Sequence, residues 1–129
     1  MDARSAALTY QAATFETAPP LKIVHLMYEG ALKFLARAGE CDPAREPLEF
    51  NRALRQAEAV VSELRLAVAP EHAPALAGQL EALYRFVEDA IREALLSRST
   101  APLAGAAEVL RTLLDAWRQI GGRLGPGAA

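Results

Sequence analysis

The chain has 129 residues, of which 52% are hydrophobic and 23% are charged, and its formal net charge is −2. This length is sufficient for one domain with a real core, and the composition argues against overall disorder. The slightly negative charge gives no general attraction for phosphate backbones, which argues against nucleic-acid binding.

The cysteine content and the lack of long apolar runs are what we expect of a protein in a reducing compartment. Cys41 is the one cysteine, so an intramolecular disulfide is excluded. No apolar run approaches the roughly 20 residues that a membrane-spanning helix needs. The first residues also lack the apolar stretch of a secretory signal. We therefore expect a cytoplasmic protein without membrane insertion.

Prolines divide the chain into four blocks of helix length, each with apolar residues at a spacing of about 3.6. No block alternates in the manner of a β-strand. Because the predicted connections are short, consecutive helices should be antiparallel neighbours. The sequence therefore predicts an all-α, antiparallel up-down four-helix bundle, with helices at about 19–39, 47–69, 74–97 and 102–120.

The fourth predicted helix has the clearest pattern. Thr100 is a suitable N-cap with Pro102 just after it, and Gly121 and Gly122 are suited to the C-terminal stop. Charged residues occupy the opposite side of this helix. The apolar stripe consists of Leu103, Ala106, Ala107, Leu110, Leu113, Leu114, Trp117 and Ile120.

The two ends of the chain lack such a pattern. Residues 1–18 are predicted to form an irregular N-terminal arm, in which Leu8, Tyr10 and Phe15 are interrupted by threonines. We interpret this arm as a mobile lid over an apolar surface of the bundle. The bundle itself is assigned to residues 19–121, and residues 122–129 are predicted to be a disordered tail.

The first predicted helix is apolar over about 200° of its circumference, whereas a helix that faces one core needs about 100°. Gly30 lies inside it, where glycine costs about 1 kcal/mol relative to alanine and is expected where another backbone comes close. Either the helix buries both faces within the domain, or its surplus face binds a second partner. That surplus face is predicted to carry Val24, Tyr28, Leu32 and Leu35.

The sequence contains none of the common catalytic or metal-binding motifs. There is no HExxH, CxxC, GxGxxG or GxxxxGK[ST] pattern, and His25 and His72 lie far apart in the chain. A di-iron bundle needs inward glutamates with Glu-x-x-His, which the inward stripes lack. We expect no enzymatic activity, no catalytic or metal-ligating residue and no cofactor.

Five segments in order resemble the FliS family of flagellar secretion chaperones. Tyr10-Gln11 resembles the N-terminal tyrosine-glutamine of the family, and "APPLKIVHLMYEGALKFLARA" resembles its first-helix signature. Asn51 with the following "LRQAEAVVSEL" is similar to the second helix. "LEALYRFVEDAIREA" and "AEVLRTLLDAWRQ" resemble the third and closing helices. The chain departs from the family at Pro19-Pro20 and at Ala94-Leu95.

The resemblance implies a cytosolic export chaperone that binds the C-terminal region of flagellin. Such a chaperone prevents premature polymerisation and keeps flagellin competent for flagellar type III secretion. It implies a monomer or weak homodimer, with other flagellar assembly regulators as further possible partners. The alternative is a structural or regulatory bundle that self-associates and has no export client.

The surplus face and the polar-tipped residues beside it form the predicted client-binding set. Asn51, Tyr28 and Tyr84 could hydrogen-bond a client backbone, or each could be satisfied by a partner within the bundle. The full set is Leu8, Tyr10, Val24, Tyr28, Gly30, Leu32, Leu35, Asn51 and Tyr84.

Overall fold

The computed structural model describes residues 21–68 and 74–124, which form four α-helices without a strand. The helices are α1 (Leu21–Glu40), α2 (Pro47–Leu66), α3 (Pro74–Ser97) and α4 (Leu103–Leu124). None of these described helices combines the length and apolar character needed to cross a membrane. The predicted arm, residues 1–18, lies outside the described residues, as do residues 125–129 of the predicted tail.

Prolines mark two of the helix starts, as the sequence predicts. Pro47 and Pro74 are the first residues of α2 and α3, where a proline loses no helical hydrogen bond and its φ angle suits the helix. Before α4, the Leu103 backbone N–H donates to the Thr100 carbonyl at 3.0 Å, so the chain turns over Pro102 into the helix.

The predicted end of the fourth helix is wrong by one turn. Gly121 and Gly122 do not stop α4, which continues to Leu124. Each glycine costs about 1 kcal/mol in a helix interior, but it does not break the backbone hydrogen bonds. Residues 122–124 are therefore helical rather than part of a tail.

The four helices form a ring in which each one packs against two neighbours. α1 lies between α2 and α4, and α3 closes the ring from the other side. Two ion pairs show that α2 and α3 run in opposite directions: Arg65 meets Glu88 at 2.6 Å, and Glu58 meets Arg92 at 3.6 Å. The predicted all-α up-down bundle is confirmed.

Small side chains bring α1 and α2 close together. Ala31 and Ala38 of α1 and Ala53 and Ala57 of α2 are fully buried. Alanine keeps the helix strong while it leaves little side-chain bulk between two backbones. This explains why the α1–α2 contact is the most extensive in the bundle.

A chain of polar groups crosses the centre of the core. The Trp117 indole N–H of α4 donates to the Tyr28 hydroxyl oxygen of α1 at 3.2 Å. The Tyr28 hydroxyl also hydrogen-bonds the Tyr84 hydroxyl of α3, with the oxygens 2.5 Å apart. All three side chains are at most 2% exposed. Since buried polar groups need partners, this arrangement fixes how three helices meet.

A second polar cluster joins α2 to α3 nearer the surface. Glu88 is 3% exposed, and it accepts hydrogen bonds from the Arg65 Nε–H at 2.6 Å and the Ser62 hydroxyl at 3.2 Å. Arg92 lies 3.7 Å from the same carboxylate. The hydrogen bond with Glu88 raises the pKa of Arg65, so this guanidinium stays charged. The buried carboxylate is thus paired, as a charge in the interior must be.

Tyr28→Phe tests the contribution of the central hydroxyl. The substitution removes the oxygen that Trp117 and Tyr84 share, and we expect the free energy of unfolding to fall by about 1–3 kcal/mol. Urea denaturation followed by the fluorescence of the single tryptophan and by circular dichroism measures this loss. An unchanged free energy of unfolding would show that the shared hydroxyl makes no net contribution.

Candidate functional site: an apolar groove between the first and last helices

An open groove of about 730 Å³ runs between α1 and α4. Its deeper part is apolar and its rim is charged. The apolar lining consists of Leu32, Leu35, Ala36, Gly39, Leu103, Ala104, Ala107 and Leu114, and the polar and charged lining consists of Glu29, Lys33, Thr100, Arg111, Asp115 and Arg118. We call this surface the α1/α4 groove.

Small residues keep the walls of the groove low. Ala36 and Ala104 are exposed, and no described atom lies within 4 Å of the position that a Cβ would take at Gly39. Leu32 is half-buried and packs against the core. The part of the apolar lining that solvent reaches consists of Leu32, Ala36, Gly39, Ala104 and Ala107. An accessible apolar strip of this kind suits a binding surface.

The rim carries charges of both signs. The Arg118 guanidinium lies 3.5 Å from the Glu29 carboxylate, an ion pair that links α4 to α1 at one end of the groove. About half of each side chain is exposed, so this pair contributes at most about 1 kcal/mol. An incoming segment could exchange these partners at little cost.

Of the four residues predicted on the surplus face of the first helix, two line the α1/α4 groove and two do not. Leu32 and Leu35 line the groove, although Leu35 is only 2% exposed, whereas Val24 and Tyr28 are buried in the core. The reason lies in the pairing of Tyr28, whose hydroxyl is satisfied by Trp117 and Tyr84. With these partners a tyrosine can occupy the centre of a core-facing stripe, where periodicity alone favours an aliphatic residue.

The other residues of the predicted client-binding set do not lie together in the α1/α4 groove. Tyr84 is buried and hydrogen-bonded to Tyr28, so its hydroxyl has a partner within the bundle, as the alternative interpretation expected. Asn51 is exposed on α2, away from the α1/α4 groove. Leu8 and Tyr10 lie outside the described residues.

Gly30 is half-buried on the other side of α1. No described atom lies within 4 Å of the position that a Cβ would take there. Among the described residues, the expectation that an internal helix packs closely against Gly30 is wrong, and a contact of Gly30 with a client stays a prediction.

The surplus apolar face of α1 is the opposite half of the predicted arc. Ile23 and Leu26 are about half exposed, and Met27 and Phe34 are half-buried. At 100° per residue, Ile23, Met27 and Phe34 lie on the flank of α1 away from Leu32, toward α2. Sequence reasoning found the arc, but of the four residues predicted to be at the surface only Leu32 is more than 6% exposed. The cation–π contact of Arg37 with Phe34 marks this flank.

The described residues offer little for covalent or metal chemistry. No group of three or more His, Cys, Asp or Glu side chains in this part of the chain could hold a metal ion. Burial, together with the carboxylates of Glu46 and Glu49, raises the pKa of the Cys41 thiol. This thiol is therefore protonated at neutral pH and is a poor nucleophile.

Comparisons with known proteins agree with the observed architecture. The family described as flagellar protein FliS matches residues 3–123 of the chain. A solved structure described as "Crystal structure of flagellar chaperone from bacteria" is similar, with a TM-score of 0.72 and 22% sequence identity. The similarity covers 90% of this chain and 94% of that chain. No curated protein shows significant similarity to the chain. At this identity the structural likeness establishes the fold.

Leu32→Glu and Leu35→Glu form a matched pair that compares an accessible and a buried position on the groove side of α1. The same substitution in the same helix should cost about 1 kcal/mol at half-buried Leu32, because the new carboxylate reaches solvent. It should cost at least about 3 kcal/mol at Leu35, because a charge enters the core. Urea denaturation of both variants measures the difference. Equal losses would contradict the orientation described for α1.

Gly30→Ala is expected to stabilise the protein by several tenths of a kcal/mol to about 1 kcal/mol, because alanine favours the helix and the methyl group meets open space. Gly78→Ala in α3 is the control, since the space there is equally open. Thermal denaturation of both variants measures the changes. A loss of stability confined to Gly30→Ala would show that a neighbour occupies this space.

Proposed function

The chain belongs to the family of flagellar protein FliS, and we propose that it is a flagellin export chaperone of the cytosol. It binds the C-terminal region of flagellin, prevents premature polymerisation and keeps the client competent for flagellar type III secretion. The observation that supports this function is the α1/α4 groove, an accessible apolar surface between the first and last helices. The role is one of binding, without catalysis, cofactor or metal.

The dimensions of the groove suit an amphipathic helix. Along α4 its lining extends from Leu103 to Arg118, about 22 Å at 1.5 Å per residue. A helix of about four turns can lie along this length and place its apolar stripe on Leu32 and Ala107. Its polar side then faces solvent, with residues of either sign beside Lys33 and Glu29. This is the helix-in-groove mode of peptide recognition.

The same contact explains how binding would prevent polymerisation. A client segment that is disordered alone must bury its apolar stripe somewhere, whether in a filament or on a chaperone. Occupation of the α1/α4 groove removes that stripe from filament contacts. Ordering of the segment on binding consumes part of the interaction free energy, which keeps the complex reversible. Reversibility suits a chaperone that must release its client for export.

The N-terminal arm, residues 1–18, is proposed to cover the apolar surface of the bundle when no client is bound. Leu8 and Tyr10 provide apolar side chains for this contact. Attachment to the same chain gives the arm a high local concentration, so a weak contact is sufficient. A client with a larger apolar stripe then displaces it.

Leu32→Glu should weaken binding of a C-terminal flagellin fragment at least about tenfold, because a charge replaces apolar contact in the α1/α4 groove. Leu48→Glu is the matched control, since Leu48 is 85% exposed on α2 and lies outside the groove. Isothermal titration calorimetry with the flagellin of the same organism measures the affinity. Size-exclusion chromatography should show a one-to-one complex of the wild-type protein.

Two results would contradict this proposal. Equal affinity of wild type and Leu32→Glu for the fragment would remove the α1/α4 groove from the client site. A stable dimer that does not bind the fragment would instead support a self-associating bundle.

A further inference from the structure

A second exposed apolar surface lies on the opposite side of the bundle from α1 and α2. Phe86 of α3 is 50% exposed, and its ring lies over α4, with Cζ 3.6 Å from the position that a Cβ would take at Gly105. Leu83 and Ala90 stand three and four positions from Phe86, and Val109 stands four from Gly105, so they share this side. We define the α3/α4 face by Leu83, Phe86, Ala90, Gly105 and Val109.

The charged residues on the solvent side of this face all have the same sign. Asp89 and Glu93 follow Phe86 at helical spacing, Glu108 follows Gly105, and all three are exposed. Asp89 pairs with Arg92 at 3.1 Å. Neither Glu93 nor Glu108 has an ion-pair partner among the described residues.

Four basic residues of α3 and α4 are engaged away from this face. Arg85 pairs at 2.8 Å with a glutamate one turn earlier in α3. Arg92 also approaches Glu58 of α2 at 3.6 Å, and Arg111 and Arg118 of α4 line the α1/α4 groove. The bundle therefore separates its charges, with a mixed rim on one apolar surface and an acidic rim on the other. This difference indicates different partners for the two surfaces.

We propose that the α3/α4 face docks a basic amphipathic helix of a second protein while the α1/α4 groove remains available. Apolar residues of the partner would pack on Phe86 and the shallow surface over Gly105. Lysine or arginine residues beside that stripe would reach the carboxylates of Glu93 and Glu108. Aromatic anchors of this kind contribute much of the free energy of an interface, and the charges select the partner.

The acidic rim also argues against other occupants. Two copies of this face would bring like charges together in a twofold dimer, which is unfavourable. Phosphate groups of nucleic acid or anionic lipid would be repelled for the same reason. The inference depends on the charges and exposure of the α3/α4 face and is independent of the client proposed for the α1/α4 groove.

A pair of synthetic helical peptides tests the proposal with the full chain. Both carry leucines at helical spacing; one has lysines beside the stripe and the other has glutamates at the same positions. We expect the lysine peptide to bind wild type at least about tenfold more tightly than the glutamate peptide at low salt. Glu93→Lys combined with Glu108→Lys should reverse this preference. Affinities are measured by fluorescence anisotropy, and binding should weaken as salt increases.

Phe86→Ala should lower the affinity for the lysine peptide. Leu96→Ala should leave this affinity unchanged, because Leu96 is 84% exposed on the same helix but lies outside the α3/α4 face. Hydrogen exchange should show protection by the lysine peptide in α3 and α4 around Phe86 and Gly105. Equal affinity for the two peptides, or charge reversal without effect, would overturn the proposal. The proposal would also be overturned if Phe86→Ala lost its affinity for the flagellin fragment without a change in melting temperature, since this face would then belong to the client site.

Discussion

The hydrogen bonds among Trp117, Tyr28 and Tyr84 are the constraint on which the arrangement of the helices depends. They connect α4, α1 and α3 through one buried hydroxyl, and a rotation of any of these helices would break at least one bond. A loss of this kind inside a core costs more than a slightly different apolar contact. The polar connection therefore selects one rotation of α1 from the several that its broad apolar arc allows.

This rotation decides which side chains are left at the surface. With Tyr28 at the centre of the core, Leu32 stands at the edge toward α4, and Met27 and Phe34 stand toward α2. The α1/α4 groove exists because this edge combines Leu32 with small residues, Ala36 and Gly39 on α1 and Ala104 and Ala107 on α4. The side chains left at the surface are thus a consequence of the hydrogen bonds that the buried Tyr28 hydroxyl makes in the core.

The two apolar surfaces of the bundle differ in the charged residues that surround them. Glu88 draws Arg65 and Arg92 to the α2–α3 junction, where they neutralise a buried carboxylate. Arg92 of α3 is thereby held toward α2, and Arg85 pairs with Glu81. We propose that the acidic residues near Phe86 then select the partner of that side. An internal ion-pair network therefore shapes an external surface, although its own net contribution to stability is small.

The sequence by itself determined the number of helices, their approximate bounds and the antiparallel order, because apolar periodicity and proline positions are local signals. It also determined the family resemblance, which the family match over residues 3–123 supports. The orientation of α1 was decided only by tertiary structure. A 200° arc contains several possible core faces, and the pairing of Tyr28 with residues 56 and 89 positions away has no local signal. Local sequence signals likewise did not predict that α4 continues through Gly121 and Gly122, because glycine raises the free energy of a helix without preventing it.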